Sequence, residues 1–446
     1  MAPCQAEKPY EIERRVMKIR FRRKSQPEWV VLFVLTMPFA FFLFIDVLGL
    51  PYSVKYMVDA AWLLLLLYMV KGRVRLPNAQ AKRLAAIMAL FFGIGMFVYV
   101  FRFQSPLYYL WGLRNNARFF VFFFACVVFV KERSAEQYLK LFDKVFWFNI
   151  PVLVYQYVVM GKGQDTLGGV FGVEKGCNGY LNVFLVIVVT LSILRYLNGK
   201  EKPSYCFLKC AAALVITVFA ELKVFVVELA LVAALSAMMT RFSLRKAAVL
   251  LGTAVGVILT GRLIAARFPA FSDWFRISGM LEILSAYGGY TGSSDLNRLT
   301  AIPVSLSYLP TLGEKLFGLG LGNCDYASFD FLVTPFFTAH ENLHYVWFSS
   351  SFLVLETGLV GLVLYCLFFV WVYLGATARE KRGQADPQIC QSPRILAIMC
   401  LVLVIYNASL RTEAAYMMYF VLALPFLSKE KRRVPQNSKT GAVLVR

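Results

Sequence analysis

Apolar stretches long enough to cross a lipid bilayer recur along almost the whole chain, and they constrain its fold more than any other feature. A helix needs about 20 mostly apolar residues to span the hydrocarbon core. It also satisfies its own backbone hydrogen bonds there, where water cannot. The chain is 59% hydrophobic, with a mean hydropathy of +0.62. The sequence therefore predicts an all-α, polytopic integral membrane protein.

Twelve of these stretches are predicted to be transmembrane helices. They cover approximately residues 28–49, 54–70, 84–101, 113–130, 142–160, 179–197, 206–221, 222–240, 246–264, 345–376, 394–410 and 412–428. The chain is accordingly divided into a basic N-terminus (1–27), nine helices (28–264), one large loop (265–344), three further helices (345–428) and a tail (429–446).

The formal net charge of +21 comes mostly from Lys and Arg in segments that fall on one side of this twelve-helix arrangement. Cytoplasmic loops of membrane proteins carry such an excess, so no nucleic-acid partner is expected. Both termini are then cytoplasmic. No small-residue cleavage site follows the first apolar stretch, and we expect no cleavable signal peptide. Cys177 and Cys324 would both face outward, and we expect two free thiols rather than a pair.

The large outward loop is predicted to carry short helices. Phe271–Leu284 has the helical spacing of apolar residues that suits a membrane surface, and Gly288–Gly292 would end it. Ser293 or Ser294 is predicted to cap a helix that runs through Arg298 to Ile302. Gly318–Gly322 is predicted to be a flexible crossing.

The only two histidines, His340 and His344, lie four residues apart at the end of this loop, so a helix would set them on one face. Two hypotheses compete. His340-Glu341-Asn342-Leu343-His344 is a literal H-E-x-x-H, in which two histidines bind zinc and the Glu is a general base, with Glu356 as the nearest third ligand. Alternatively, one imidazole acts as a general base without a metal.

Several cationic side chains lie outside the basic loops: Arg114, Arg118, Lys175, Lys223, Arg298 and Arg411. Charges at such depths are costly and usually face a cavity. They could simply be paired, Arg298 with Asp295 and Lys223 with Glu221. Alternatively, several of them converge on a pyrophosphate, for which the planar fork of arginine is well suited.

The order of three motifs resembles the O-antigen ligase/polymerase superfamily, nearer to its Wzy-type polymerase branch. The first motif is Asp165-Thr-Leu-Gly-Gly-Val-Phe-Gly172, with Asn178 opening the sixth predicted helix. The second is Asn297-Arg298 followed by Lys315 to Gly322. The third is the histidine segment running into Glu356-Thr-Gly358-Leu-Val-Gly361. The family pattern places an Asn directly after its histidine, and here both histidines stay candidates.

The resemblance implies a GT-C-like fold and a metal-independent, inverting glycosyltransferase without a cofactor. Its donor and acceptor would be undecaprenyl-pyrophosphate-linked oligosaccharides, polymerised into O-antigen, capsular or exopolysaccharide at the outer face of the bacterial cytoplasmic membrane. A chain-length regulator is an expected protein partner. The alternatives are a ligase that transfers glycan to lipid A core or protein, a membrane zinc metalloprotease, and a transporter of lipid-linked glycans.

The resemblance also implies roles for residues of this chain. His340, His344 and Arg298 are the predicted catalytic residues, and Glu356 or Glu341 would orient an imidazole. The predicted contacts to pyrophosphate or glycan are Arg114, Arg118, Lys223, Arg411, Asn178, Glu341 and Asn342.

Overall fold

The computed structural model describes residues 25–240, 243–267, 295–327 and 329–427. These residues form helices and no strands, as the sequence predicts. The helices are α1 (Gln26–Thr36), α2 (Met57–Lys71), α3 (Ala79–Arg102), α4 (Pro106–Phe129), α5 (Glu132–Val158), α6 (Cys177–Leu197), α7 (Pro203–Phe219), α8 (Lys223–Met239), α9 (Leu244–Arg267), α10 (Ala301–Ser307), α11 (Leu312–Phe317), α12 (Pro335–His340), α13 (Ser349–Lys381), α14 (Pro387–Tyr406) and α15 (Ala415–Ala423).

The protein is an all-α polytopic membrane protein. Within the described part of the chain, seven helical segments are long and apolar enough to cross a bilayer: α2 with the turn before it, α3, α4, α6, α9, α13 and α14. Each predicted span overlaps a helix, but several of these helices are short or interrupted. The first predicted span, for example, passes from α1 into a 3₁₀ turn at Met37–Ala40 and a π-helical turn at Phe42–Val47. Pro38 removes a backbone donor at this change.

Two helices form the centre of the bundle. Nearly every residue of α6 is buried, and so is every residue of α15. A helix that is apolar on all sides belongs inside a protein or a bilayer, and here other helices cover it: α6 packs against α7, α8 and α14, and α15 packs against α4 and α14. The helices that surround them keep exposed apolar faces, as lipid-facing helices do.

Helix α13 is broken at Gly358, which has φ 66° and ψ −172°. The break frees two carbonyl groups of the preceding turn for bonds outside the helix. The Leu319 amide donates to the Leu355 carbonyl at 2.8 Å, and the Gly320 amide donates to the Glu356 carbonyl at 2.9 Å. Irregular backbone inside a membrane protein is tolerated where protein satisfies it in this way.

The segment Gly318–Gly322 is therefore fixed against α13 and is not the flexible crossing predicted from the sequence. It also meets the start of α4. Gln104 Nε2 donates to the Leu319 carbonyl at 2.8 Å. A Cβ on Gly322 would lie 1.8 Å from the Tyr108 carbonyl oxygen. No residue but glycine fits this approach.

The backbone after this loop also differs from prediction. Residues 298–300 form a turn, and α10 begins only at Ala301, so the predicted helix does not pass through Arg298. The Leu296 amide donates to the Leu343 carbonyl at 3.2 Å, which brings the beginning of the described loop beside the histidine segment. Phe271–Leu284, Gly288–Gly292, Ser293 and Ser294 lie outside the described residues. Cys177 and Cys324 are free, as predicted.

The glycine contact gives a test of this architecture. Gly322→Ala should destabilise the protein strongly, because the new Cβ meets backbone that cannot move aside. The matched control is Gly49→Ala, at a glycine with φ 65° where a Cβ would have no neighbour within 4 Å. Gly49→Ala should lower the free energy of unfolding by about 1–2 kcal/mol, because of the left-handed backbone alone. Gly322→Ala should lower it by about 1–3 kcal/mol more. Thermal unfolding in detergent measures both, and equal midpoints would contradict this packing.

Candidate functional site

The two histidines do not share a helical face. Helix α12 ends at His340, which has φ −128°, and a 3₁₀ turn follows over Glu341–Leu343. His344 is left-handed, with φ 51°. The prediction of one continuous helix is wrong, and the zincin arrangement requires that helix. Among the described residues, no three His, Cys, Asp or Glu side chains are grouped as metal ligands would be.

His344 contacts a carboxylate. Its Nδ1 lies 2.7 Å from Asp295 Oδ1, and its ring lies 4.0 Å from the indole of Trp347. The side chain is 38% exposed, so the other ring nitrogen is within reach of a ligand. The carboxyl group beside the imidazole is thus Asp295, and not Glu341 or Glu356 as predicted. The sequence contained one signal for this, because Asp295 lies next to the Asn297-Arg298 motif.

His340 is set among aromatic rings. Its ring centroid lies 5.0 Å from that of Tyr308 and 4.6 Å from that of Phe336. Glu341 and Asn342 are exposed, and their side chains make no hydrogen bond to other described residues. These three residues have no described contact that supports the roles predicted for them, whereas His344 does.

Arg298 has aromatic partners and no acidic one in the described structure. Its guanidinium carbon lies 4.7 Å from the ring centroid of Tyr406 and 5.7 Å from that of Phe348. Its Nε is buried without a hydrogen-bond partner, and no described carboxylate is within ion-pair distance. The pair predicted with Asp295 does not form. Aromatic faces hold a guanidinium in place without neutralising its charge.

Further polar groups surround Arg298. Lys223 pairs with Glu221 at 2.6 Å, which is the first of the two alternatives for this residue. It is also close enough to Arg298 for their charges to interact. Asn178 Nδ2 donates to Asp165 Oδ1 at 2.8 Å and to the Ala220 carbonyl at 3.1 Å. We call Asp165, Asn178, Glu221, Lys223, Arg298 and Tyr406 the Arg298 cluster.

Three of the five described non-glycine residues with a positive φ lie in or next to the Arg298 cluster or at His344. Glu221 and Gln164 have φ values of 55° and 53°, and His344 has 51°. Non-glycine residues rarely adopt this conformation, and those that do are concentrated at functional sites. The Arg298 cluster and His344 are therefore the best candidate site in the described structure.

The other predicted arginines form a separate group. Arg118 Nη1 lies 2.9 Å from Glu413 Oε1, and Arg118 Nη2 donates to the Arg411 carbonyl at 2.9 Å. Arg114 pairs with Asp59, its Nε donating to Oδ1 at 3.2 Å. Arg118 is 5% exposed, so this pairing offsets a large desolvation cost.

Arg411 completes this group. Its Nη2 lies 3.7 Å from Asp325 Oδ1, and its guanidinium lies over the ring of Phe352. The Glu356 carboxyl is fully buried and accepts from the Gly322 amide at 2.9 Å. We call Asp59, Arg114, Arg118, Asp325, Glu356, Arg411 and Glu413 the central network.

In the central network three arginines lie beside four carboxyl groups, so the arginine charges are neutralised within the protein. Glu413, just before α15, contacts Arg118 Nη1 and also accepts from the hydroxyl of Tyr180. Burial raises the pKa of Asp325 despite the opposing charge of Arg411. The sequence analysis found these arginines and missed their acids, although Asp59 within an apolar stretch was a visible signal.

Comparison with known proteins gives no identification. No protein-family model matches the sequence, and no curated protein matches it.

The Arg118–Glu413 pair gives a stability prediction. Glu413→Gln should destabilise the protein by about 3–5 kcal/mol, because it removes the nearest counter-charge of a buried guanidinium, whose remaining carboxylate, Asp59, is 3.9 Å away. The double variant Arg118→Met/Glu413→Leu removes both charges and should recover most of that loss. Thermal unfolding in detergent compares the three proteins. A double variant as unstable as Glu413→Gln would show that an unpaired buried charge is not the cause of the destabilisation.

Glu174 provides a pH prediction. Burial raises its pKa, as do Asp46 and Glu413, to about 7, although Lys55 Nζ lies 3.5 Å from the carboxylate. The native protein then binds a proton more tightly here than the unfolded chain does. This stabilisation is complete below pH 4.5 and is lost as the pH rises to about 7. The unfolding temperature of the wild type should fall between pH 4.5 and 7 because of this group, and in Glu174→Gln that fall should be absent. An unchanged profile in the variant would contradict the assignment.

Proposed function

We propose that this protein is a membrane glycosyltransferase of the O-antigen ligase/polymerase superfamily, of the Wzy type. It polymerises undecaprenyl-pyrophosphate-linked oligosaccharide repeat units. The observation that carries the proposal is the guanidinium of Arg298, which is held by two aromatic rings, has no described acidic partner and lies beside Lys223. A pyrophosphate would supply the anion that this guanidinium lacks.

The pair Asp295–His344 supports the acid–base part of the proposal. The carboxylate contacts Nδ1, which leaves Nε2 to accept a proton from a sugar hydroxyl. Imidazole is suited to that role near neutral pH. Asp295 would also stabilise the imidazolium that forms. The hydrogen bond from the Leu296 amide to the Leu343 carbonyl joins the segment that contains Asp295 and Arg298 to the segment that contains His344.

The reaction follows from these roles. The hydroxyl oxygen of the acceptor glycan attacks the anomeric carbon of the donor and forms the new glycosidic bond. The bond from that carbon to the pyrophosphate oxygen breaks, and its electron pair leaves with undecaprenyl pyrophosphate. His344 takes the hydroxyl proton. Arg298 stabilises the charge that grows on the leaving group, and Lys223, which is paired with Glu221, lies beside it. A single displacement inverts the anomeric carbon.

The central network has a supporting role in this proposal. Arg114, Arg118 and Arg411 are bound to carboxylates, so they are poorer ligands for a pyrophosphate than Arg298. Arg114 and Arg118 instead join α4 to Asp59 and Glu413. Arg411 and Asn115 of α4 both contact Asp325 in the loop. Because Asn178 belongs to the Arg298 cluster, it would lie near the lipid-linked substrate.

The same proposal includes the finer architecture: twelve transmembrane spans, a GT-C-like fold and a site on the outer face of a bacterial cytoplasmic membrane. The overlap of every predicted span with a helix supports it. So does the position of the Arg298 cluster and the histidine segment at the end of the bundle opposite the basic connections 71–83 and 379–394. A chain-length regulator is the proposed protein partner.

Purified protein supplied with a short-chain lipid-linked repeat unit should produce a ladder of longer glycans on a gel. We expect His344→Ala to slow extension by about 10²–10⁴ and Arg298→Ala by about 10²–10³. Asp295→Asn should slow it at least about tenfold, because the imidazole loses its partner. His340→Ala should have a much smaller effect than His344→Ala.

The matched control is Asp330→Asn, which changes an exposed carboxylate on the same loop. This variant should extend the glycan at the wild-type rate. If His344→Ala and Arg298→Ala both extend the glycan at the wild-type rate, the site is assigned wrongly. Transfer to lipid A core without chain extension would make the protein a ligase.

A further inference from the structure

A polar pocket lies at the opposite end of the bundle from the Arg298 cluster. It has a volume of about 590 Å³, within the range of pockets that hold small ligands. It is lined by Pro77, Asn78, Ala79, Gln80, Arg379, Arg382, Gly383, Gln384 and Leu427. Among the described residues, two arginines and no acidic side chain line it, and their charge complements an anion.

The 24-residue helix α3 begins at this cavity. Asn78 caps it by accepting from the Ala81 amide at 2.8 Å, and its Nδ2 donates to the Phe426 carbonyl at 2.8 Å. The first two amides, of Ala79 and Gln80, have no partner among the described residues. Free amides at the N-terminus of a long helix favour a phosphate group.

Arg379 is the independent sign of a ligand. It is only 7% exposed, and its Nε is buried without a hydrogen-bond partner. Its single described hydrogen bond is a long one, 3.4 Å from Nη2 to the Gln384 carbonyl. Glu132 is near enough to influence it electrostatically but is not within ion-pair distance. Burying an arginine in this state is costly unless something else neutralises it.

Membrane topology alone does not account for this arrangement. A positive-inside signal needs only cations that remain in water or among headgroups, as the exposed Arg382 does. The C-terminus of α13 does not oppose an anion strongly either, because the carbonyls of Ala378, Arg379 and Glu380 already accept from the amides that follow the helix.

We propose that this cavity binds a phosphate group, with Arg379, Arg382 and the first amides of α3 as its ligands. The phosphate belongs either to an anionic lipid headgroup or to a soluble phosphorylated compound. The site is separate from the Arg298 cluster and does not depend on the proposed glycosyltransferase activity.

The test uses the full-length protein and two probes. Calorimetry in detergent measures binding of inorganic phosphate. Native mass spectrometry from nanodiscs compares retention of phosphatidylglycerol with that of phosphatidylcholine. Arg379→Gln/Arg382→Gln should weaken binding of the favoured probe about tenfold or more. Arg382→Glu should also weaken it, and because Arg382 is exposed this variant does not endanger folding.

The matched control is Lys71→Gln/Arg75→Gln, which removes two exposed charges from the connection before α3 without touching the cavity. The control should bind like the wild type. Phosphate binding identifies a soluble ligand, and selective phosphatidylglycerol retention identifies a lipid. The proposal is overturned if neither probe binds, if the control loses as much affinity as the cavity variants, or if Arg298→Ala abolishes the binding.

Discussion

The break of α13 at Gly358 and the docking of Gly318–Gly322 against it are the constraint on which the rest of the site depends. The helix gives up two of its own hydrogen bonds there, and the amides of Leu319 and Gly320 replace them. Because unsatisfied buried backbone groups are costly, each segment fixes the other. The loop before the histidines consequently starts from a defined position, and the Glu356 carboxyl reaches the Gly322 amide.

The charged residues divide into two groups with different consequences. In the central network each arginine lies beside carboxylates, and Glu413 contacts both Arg118 and the hydroxyl of Tyr180. Such a network fixes geometry. Arg298 is held by aromatic rings instead, so its charge remains available to a ligand. A buried cation without an acidic partner is a stronger indication of function than a paired one, and Arg379 at the opposite end follows the same logic.

The sequence predicted the helical membrane fold and several members of the site from residue type alone. Arg298, Lys223 and His344, which the sequence analysis singled out, contribute to the candidate site, and Lys223 pairs with Glu221. The predicted histidine helix failed because five residues of helical spacing do not show where a helix ends, and α12 ends at His340. The partner of His344 was assigned wrongly for a related reason, since contact between Asp295 and His344 depends on how a long loop folds back.

By itself the sequence determined that the chain is a membrane protein of helices, because apolar length and self-satisfied backbone bonds leave a bilayer segment few alternatives. It also identified the polar residues that are costly to place in a bilayer and are therefore candidates for a functional role. Only the tertiary structure decided which cations are neutralised and which are not. That outcome depends on distances between residues far apart in the chain, such as Arg118 and Glu413, and no local pattern encodes them.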